Sequence, residues 1–150
     1  MKILRNIICL LLALSAAYGF SSGQSATGTV IVEFNDINPD CGMVEASIYN
    51  RSETFLVKDQ FIQRKRSNIV NGKAQIIFEN IPLGKIALGS YHDVDSDEEY
   101  DKNWIGLPAE PYAFSKPPVN NWRKPRFEEV AVDFNRSGQV FKLTFQTFMP

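Results

Sequence analysis

Apolar and polar residues alternate along most of the chain with the period of two that a half-buried strand requires. From Thr27 onward, Val30, Val32 and Phe34 fall on one side and Thr29, Ile31 and Glu33 on the other. The turn-forming run Asn35-Asp36-Ile37-Asn38-Pro39-Asp40 closes that strand, and a second begins near Gly42 at hairpin-like spacing, with Val44, Ala46 and Ile48 on one face. The stretch 55–66 has room for one or two short strands, around Phe55-Leu56-Val57 and Phe61-Ile62. Asn71-Gly72, both tolerant of positive φ, turns the chain into a strand with Ala74, Ile76 and Phe78 facing inward. Pro82-Leu83-Gly84 turns it again into 85–91. After a long loop Val130, Val132 and Phe134 alternate, Arg136-Ser137-Gly138 turns, and Phe141, Leu143 and Phe145 form a last inward row. No amphipathic helix pattern of useful length and no repeat interrupts this series in the region after residue 26. The pattern predicts an all-β fold, a single Ig-like or transthyretin-like (prealbumin-like) antiparallel β-sandwich of about seven strands with one long acidic loop.

The N-terminus follows a different rule. Lys2 and Arg5 precede an apolar run from Ile7 to about Ala17, and Ala17-Tyr18-Gly19 has the small-x-small form of a cleavage site. The run is shorter than the ~20 residues that span hydrocarbon, so it reads as an export signal and not as an anchor. Residues 1–19 are the expected signal, with a cut as late as Ala26 as the alternative, and 27–150 form one domain. A secreted or periplasmic location follows, with no membrane span after cleavage.

Composition narrows the function classes. Of the 150 residues, 44% are hydrophobic, eleven are Phe and 22% are charged, which is enough to build a core and excludes intrinsic disorder. The formal charge is -1, with 16 basic and 17 acidic side chains; loss of Lys2 and Arg5 with the signal makes the rest more acidic. Such a domain lacks the basic footprint that displaces counterions from nucleic acid. Cys9 belongs to the apolar run, which leaves Cys41 alone, unable to form an internal disulfide or a cysteine zinc site. Its expected role is that of a small packing residue.

The candidate chemistry lies in one connection. About 35 residues separate the strand ending near Tyr91 from the one starting near Phe127, far more than the ~12–15 at which a structureless loop becomes unusual. The loop opens His92-Asp93-Val94-Asp95-Ser96-Asp97-Glu98-Glu99-Tyr100-Asp101. Asp93, Asp95, Asp97 and Asp101 repeat the 1, 3, 5, 9 spacing of an EF-hand-type calcium loop, and Glu99 stands where a backbone carbonyl supplies a ligand. Calcium is a hard cation that takes six to eight oxygens, and six acids between Asp93 and Asp101 repel one another without one. Two positions depart from the pattern: Glu98 replaces the turn glycine and Trp104 the final bidentate Glu, so Asn103 or Glu110 is the candidate for the missing ligand. Farther on, Trp104, Tyr112 and Trp122 either cover an open end of the core or form a stacking platform for a sugar or another flat ligand. Lys116, Arg123, Lys124 and Arg126 form a basic stretch that could pair with the acidic half or face solvent.

These residues carry a resemblance. The run from Leu88 to Ser115 is similar to a bacterial family known as domain of unknown function 2141, whose members have a His-Asp opening, an acidic or Asn-rich loop, Gly-x-Pro-x-Glu and a Phe-Ser pair. The resemblance implies His92, Asp93, Asp95, Asp97 and Asp101 for the first part, and Gly106, Pro108, Glu110, Phe114 and Ser115 for the second. The segment from Pro125 to Ala131 resembles the family's return into the next strand. Glu98, Pro111 and Ala113 stand where glycines are usual. The family implies export and a transthyretin-like or carboxypeptidase-regulatory-like sandwich, and it brings no activity.

Three functions fit this reading. The first is a non-enzymatic exported β-sandwich module whose acidic loop binds Ca2+ and presents a surface to a protein or glycan partner. The second is a carbohydrate- or small-ligand-binding module that uses the loop aromatics. The third is a carboxylate-based hydrolase, with Asp93 and Glu110 as acid and base beside His92, the only histidine. No nucleophile elbow, HExxH motif or phosphate-cradling glycine loop accompanies it, and no catalytic residue is assigned.

Overall fold

The computed structural model describes residues 26–101, 106, 109–120 and 122–148, so the expected signal at 1–19 lies outside it. Among the described residues, eight strands and one helical turn make an almost entirely β domain: β1 (Thr27–Phe34), β2 (Met43–Tyr49), β3 (Gln63–Asn68), β4 (Ala74–Pro82), β5 (Gly84–Asp93), β6 (Tyr112–Phe114), α1 (Phe127–Val130), β7 (Val132–Phe134) and β8 (Gln139–Leu143). They form a three-stranded sheet in the order β4-β1-β8 and a five-stranded sheet in the order β3-β2-β5-β6, with β7 paired to the start of β5. Neighbours run antiparallel except β1 and β8, which are parallel. Among the described residues no helix is long and apolar enough to cross a membrane.

The two sheets face each other across one core, and the inward rows are those the alternation predicts. Val30, Val32 and Phe34 of β1, Val44, Ala46 and Ile48 of β2, and Ala74, Ile76 and Phe78 of β4 are all buried in it. Phe145, beyond the end of β8, stacks on Phe34 with ring centroids 5.1 Å apart.

Several local expectations are corrected. β1 and β2 are not a hairpin: β1 pairs with β4 and β8, β2 with β3 and β5, and the connection arches from one sheet to the other. Ile37 is buried in that arch, its N–H donates to the Gly72 carbonyl, and the Asp40 carboxylate accepts from Gly72 N–H. Two inward rows close a core equally well side by side or face to face, so alternation alone does not choose. Phe55-Leu56-Val57 forms turns instead of a strand, and Phe61 and Ile62 precede β3. Val130 closes α1 instead of opening a strand, although it is fully buried. Cys41 is exposed at the turn before β2 and is not a packing residue.

A feature the alternation hides is the covered outer face of the larger sheet. β2 is buried on both faces, Glu45, Ser47 and Tyr49 included. Over its lower half lies a second apolar cluster of Tyr49, Phe55, Ala87, Phe127, Val130 and Ala131, built from the 50–62 loop and α1. Over the upper half, Glu98 and Tyr100 of the loop after β5 reach Arg66 and Tyr91.

Candidate metal centre and adjoining groove

The acidic loop grows directly out of β5. Asp93 is its last residue, paired with Met43 of β2, and its side chain is on the outward face with that of Tyr91, in the row set by pairing that also passes Gly89. Gly42 makes this possible. It adopts φ +75°, and a Cβ there would meet the Asp93 carbonyl oxygen and crowd the Val94 backbone, so only glycine lets the two chains pass this closely. His92, fully buried, lies with Nε2 2.7 Å from the Cys41 carbonyl oxygen; the acceptor is a carbonyl, so Nε2 carries the proton and donates. The histidine therefore ties the turn before β2 to the end of β5.

Beyond Asp93 the loop curls on its own carboxylates. Asp95 Oδ1 accepts from Asp97 N–H at 3.4 Å and Asp97 Oδ1 from Glu99 N–H at 2.8 Å. Ser96 and Glu98 have φ of +61° and +70°. Glu98 thus takes the left-handed turn for which the spacing calls for glycine, a conformation costing a non-glycine residue about 1–2 kcal/mol. Contacts from both sides hold it there. Its N–H donates to Asp93 Oδ2 at 3.1 Å, and Arg66 of β3 reaches its carboxylate at 2.8 Å and its carbonyl at 3.0 Å.

The result brings one carboxylate oxygen from each of Asp93, Asp95 and Asp97 within 4.8 Å of the others. Ligands at 2.3–2.6 Å on opposite sides of a calcium ion are about 4.6–5.2 Å apart, so an ion fits among these three. Asp93 is 1% exposed, and its Oδ1 is buried without a hydrogen-bond partner among the described residues. A carboxylate oxygen so placed is costly unless something compensates its charge. The set is all oxygen, which suits a hard cation and not a thiophilic one. The Glu99 and Asp101 side chains lie outside this cluster.

Glu110 has a different task from the one its position suggested. Buried at 7% exposure, it accepts Val94 N–H on Oε1 at 3.0 Å and Asp101 N–H on Oε2 at 3.3 Å, stapling the two ends of the acidic segment together. Burial raises its pKa, the two backbone donors lower it, and the charges of Asp93 and Asp101 raise it further, with a net upward shift. Ser115 is a second staple: its hydroxyl accepts from Leu88 N–H and donates to the Val130 carbonyl.

Sequence reasoning missed the floor beside this loop. Cross-strand pairing aligns Arg66, Glu45, Tyr91 and Tyr112 in one row and Arg64, Ser47, Gly89 and Phe114 in the next. Glu45 takes Arg64 on one oxygen at 3.1 Å and Arg66 on the other at 2.7 Å. Burial lowers the Arg66 pKa and the Glu45 and Glu98 carboxylates raise it more, for a net rise. Burial, then the Glu45 charge, raises that of Tyr91. The only hint was the polar run Gln63-Arg64-Lys65-Arg66, whose period of two sends Arg64 and Arg66 to Glu45 and sends Gln63 and Lys65 to the β4 carbonyls of Glu79 and Ile77. A groove of about 850 Å3 lies above this floor, with Tyr100 and Trp122 among its walls.

Of the predicted stacking trio, Tyr112 is buried on β6, Trp122 is 69% exposed against Phe148, and Trp104 lies outside the described residues, as do Asn103 and Pro108. The basic stretch does not meet the acidic half through Arg123 or Arg126; both pair with Glu129.

A family model described as an uncharacterized protein conserved in bacteria (DUF2141) matches residues 32–142. The chain belongs to this family. The match spans β2 to β7 with the last three residues of β1 and most of β8, so the staples, the acidic loop and the groove all fall within it. No curated protein and no solved structure matches the chain.

Proposed function

We propose that this DUF2141 chain is an exported, non-enzymatic β-sandwich module whose acidic loop binds calcium and thereby holds a surface ready for a partner. The observation that carries this reading is the buried Oδ1 of Asp93, without a hydrogen-bond partner among the described residues, in a carboxylate cluster of ion-sized spacing. Asp93, Asp95 and Asp97 supply carboxylate oxygens, the Glu99 carbonyl stands at the spacing of a further ligand, and Asp101, outside the cluster, stands at the position that ligates through water. The ion offsets charges that otherwise repel, and it stabilises the fold by mass action. An Ig-like or transthyretin-like form of the sandwich and a secreted or periplasmic address are part of the same reading.

Calorimetry and thermal melts in calcium and in chelator test it. At ten times the dissociation constant the gain is about 1.4 kcal/mol, worth roughly 4–6 °C in a domain of this size. Asp93→Asn abolishes the shift, whereas Asp133→Asn, remote on β7, retains it. A melting temperature indifferent to calcium, with no heat of binding, would sink the proposal.

A further inference from the structure

We infer that the groove on the outer face of the larger sheet binds a neutral carbohydrate and that calcium in the acidic loop controls its affinity, an inference that rests on the calcium reading above. The groove's volume, about 850 Å3, falls in the range of small-molecule sites. Its chemistry is specific. Tyr91 of the floor and Tyr100 and Trp122 of the walls offer aromatic faces, with Tyr112 buried beneath them, while Ser47 and Glu45 hold the Arg64 guanidinium in place. Aromatic faces for the apolar side of a sugar ring, set beside the planar Arg64 guanidinium for its hydroxyls, make a matched surface. At the floor the two guanidiniums of Arg64 and Arg66 meet the two carboxylates of Glu45 and Glu98, and Arg123 at the rim is paired with Glu129. Of the remaining lining charges, Lys58 and Lys124 stand against Glu99, so the cavity carries a net charge of about +1 and presents little field to draw an acidic polymer; a polyhydroxylated neutral ligand is the occupant that suits it.

The link to the ion runs through two contacts. Arg66 holds Glu45 of the floor with Nε and Glu98 of the loop with Nη1 and Nη2. Tyr100, two residues beyond Glu98, packs edge-on against Tyr91 at 5.2 Å between centroids. An ion on Asp93, Asp95 and Asp97 keeps Glu98 in its left-handed turn and Tyr100 on the floor. Without it, the clustered carboxylates push the wall away.

The test applies the full chain to an array of neutral and acidic oligosaccharides, in calcium and in chelator, with melting temperatures read on the same samples. Expected is binding to neutral oligosaccharides in calcium, about tenfold weaker in chelator, and lost in both Tyr100→Ala and Trp122→Ala, exposed positions whose truncation leaves the melting temperature near that of the parent. Glu98→Gln should keep the calcium-dependent melting shift and reduce the calcium dependence of sugar binding. A melting shift with no neutral glycan bound overturns the groove assignment and leaves the calcium site standing. Binding equal in calcium and chelator, with the melting shift intact, overturns the control. Sugar binding with no melting shift overturns the calcium reading, and with it the control, while the groove stands. Preference for acidic glycans, or binding that survives both alanine variants, overturns the ligand class or its location.

Discussion

The two outer faces of this sandwich are written in the same alternating code and meet different fates. On the smaller sheet the outward rows are Ile77-Ile31-Val140 and Gln75-Glu33-Lys142, with Ile77 and Val140 more than 40% exposed. On the larger sheet the rows Arg66-Glu45-Tyr91-Tyr112 and Arg64-Ser47-Gly89-Phe114 lie under loops, and Glu45 is 4% exposed. Polarity does not explain the contrast, since the rows of the more buried face carry three charged side chains and those of the open face two. Coverage explains it: the 50–62 loop, the acidic loop and α1 all fold over one side, so a carboxylate in mid-strand becomes a buried group held by two guanidiniums. A sandwich can thus build its chemistry on an outward face once connections enclose it, away from the inter-sheet core.

The strongest challenge to that contrast is to strip the cover. Phe55→Ala empties the second apolar cluster and should cost about 3–5 kcal/mol in urea unfolding, whereas Ile77→Ala on the open face should cost less than about 1 kcal/mol. Equal costs would mean that the cover adds nothing to stability. Glycines sharpen the comparison at the next level. Gly42→Ala combines a φ of +75° with collision against the Asp93 backbone, and should cost about 2–3 kcal/mol and weaken the calcium response. Gly138, at φ +74° with open space around it before β8, should lose only the ~1 kcal/mol of the conformation itself and keep that response. Similar losses and an unaltered calcium shift would remove Gly42 from the account of the loop.

The smallest effect concerns the rim. Hydrogen bonding from Arg123, then the Arg126 N–H, brings the Glu129 carboxyl from its ordinary 4.5 down to about 2. A depressed carboxyl contributes stability that is present above pH 4.5 and lost as pH falls toward 2. Both guanidiniums are substantially exposed, so solvent screens the effect. Melting temperatures at pH 5 and pH 3 should diverge slightly more for the parent than for Glu129→Gln. Identical divergence would show that the pair does not hold α1.

Much of the inter-sheet core was legible because burial on one face imposes a period of two, as Val30-Val32-Phe34 and Val44-Ala46-Ile48 show. The 1, 3, 5 spacing of Asp93, Asp95 and Asp97 was legible for a similar reason: ligands converge only from alternate positions of a curled loop, and the structure does bring these three together. Glu98 was legible as a departure from glycine, and it adopts the glycine-like φ nonetheless because Arg66 and Asp93 hold it. Glu110 was visible as an acid near the site, but its work on two backbone amides was not, since those amides are 9 and 16 residues away.

The sequence by itself determined which residues turn inward, where the chain turns at Asn71-Gly72, and that one long acidic connection needs something to order it. Those are local matters of side-chain alternation, φ tolerance and charge spacing. Only the tertiary structure decided that β1 and β2 face each other across the core, that Gly42 must clear the Asp93 carbonyl, and that Arg66 joins Glu45 to Glu98. Each of these depends on which distant segments become neighbours, and a free-energy difference between packings that satisfy the same alternation is not written in any one stretch of chain.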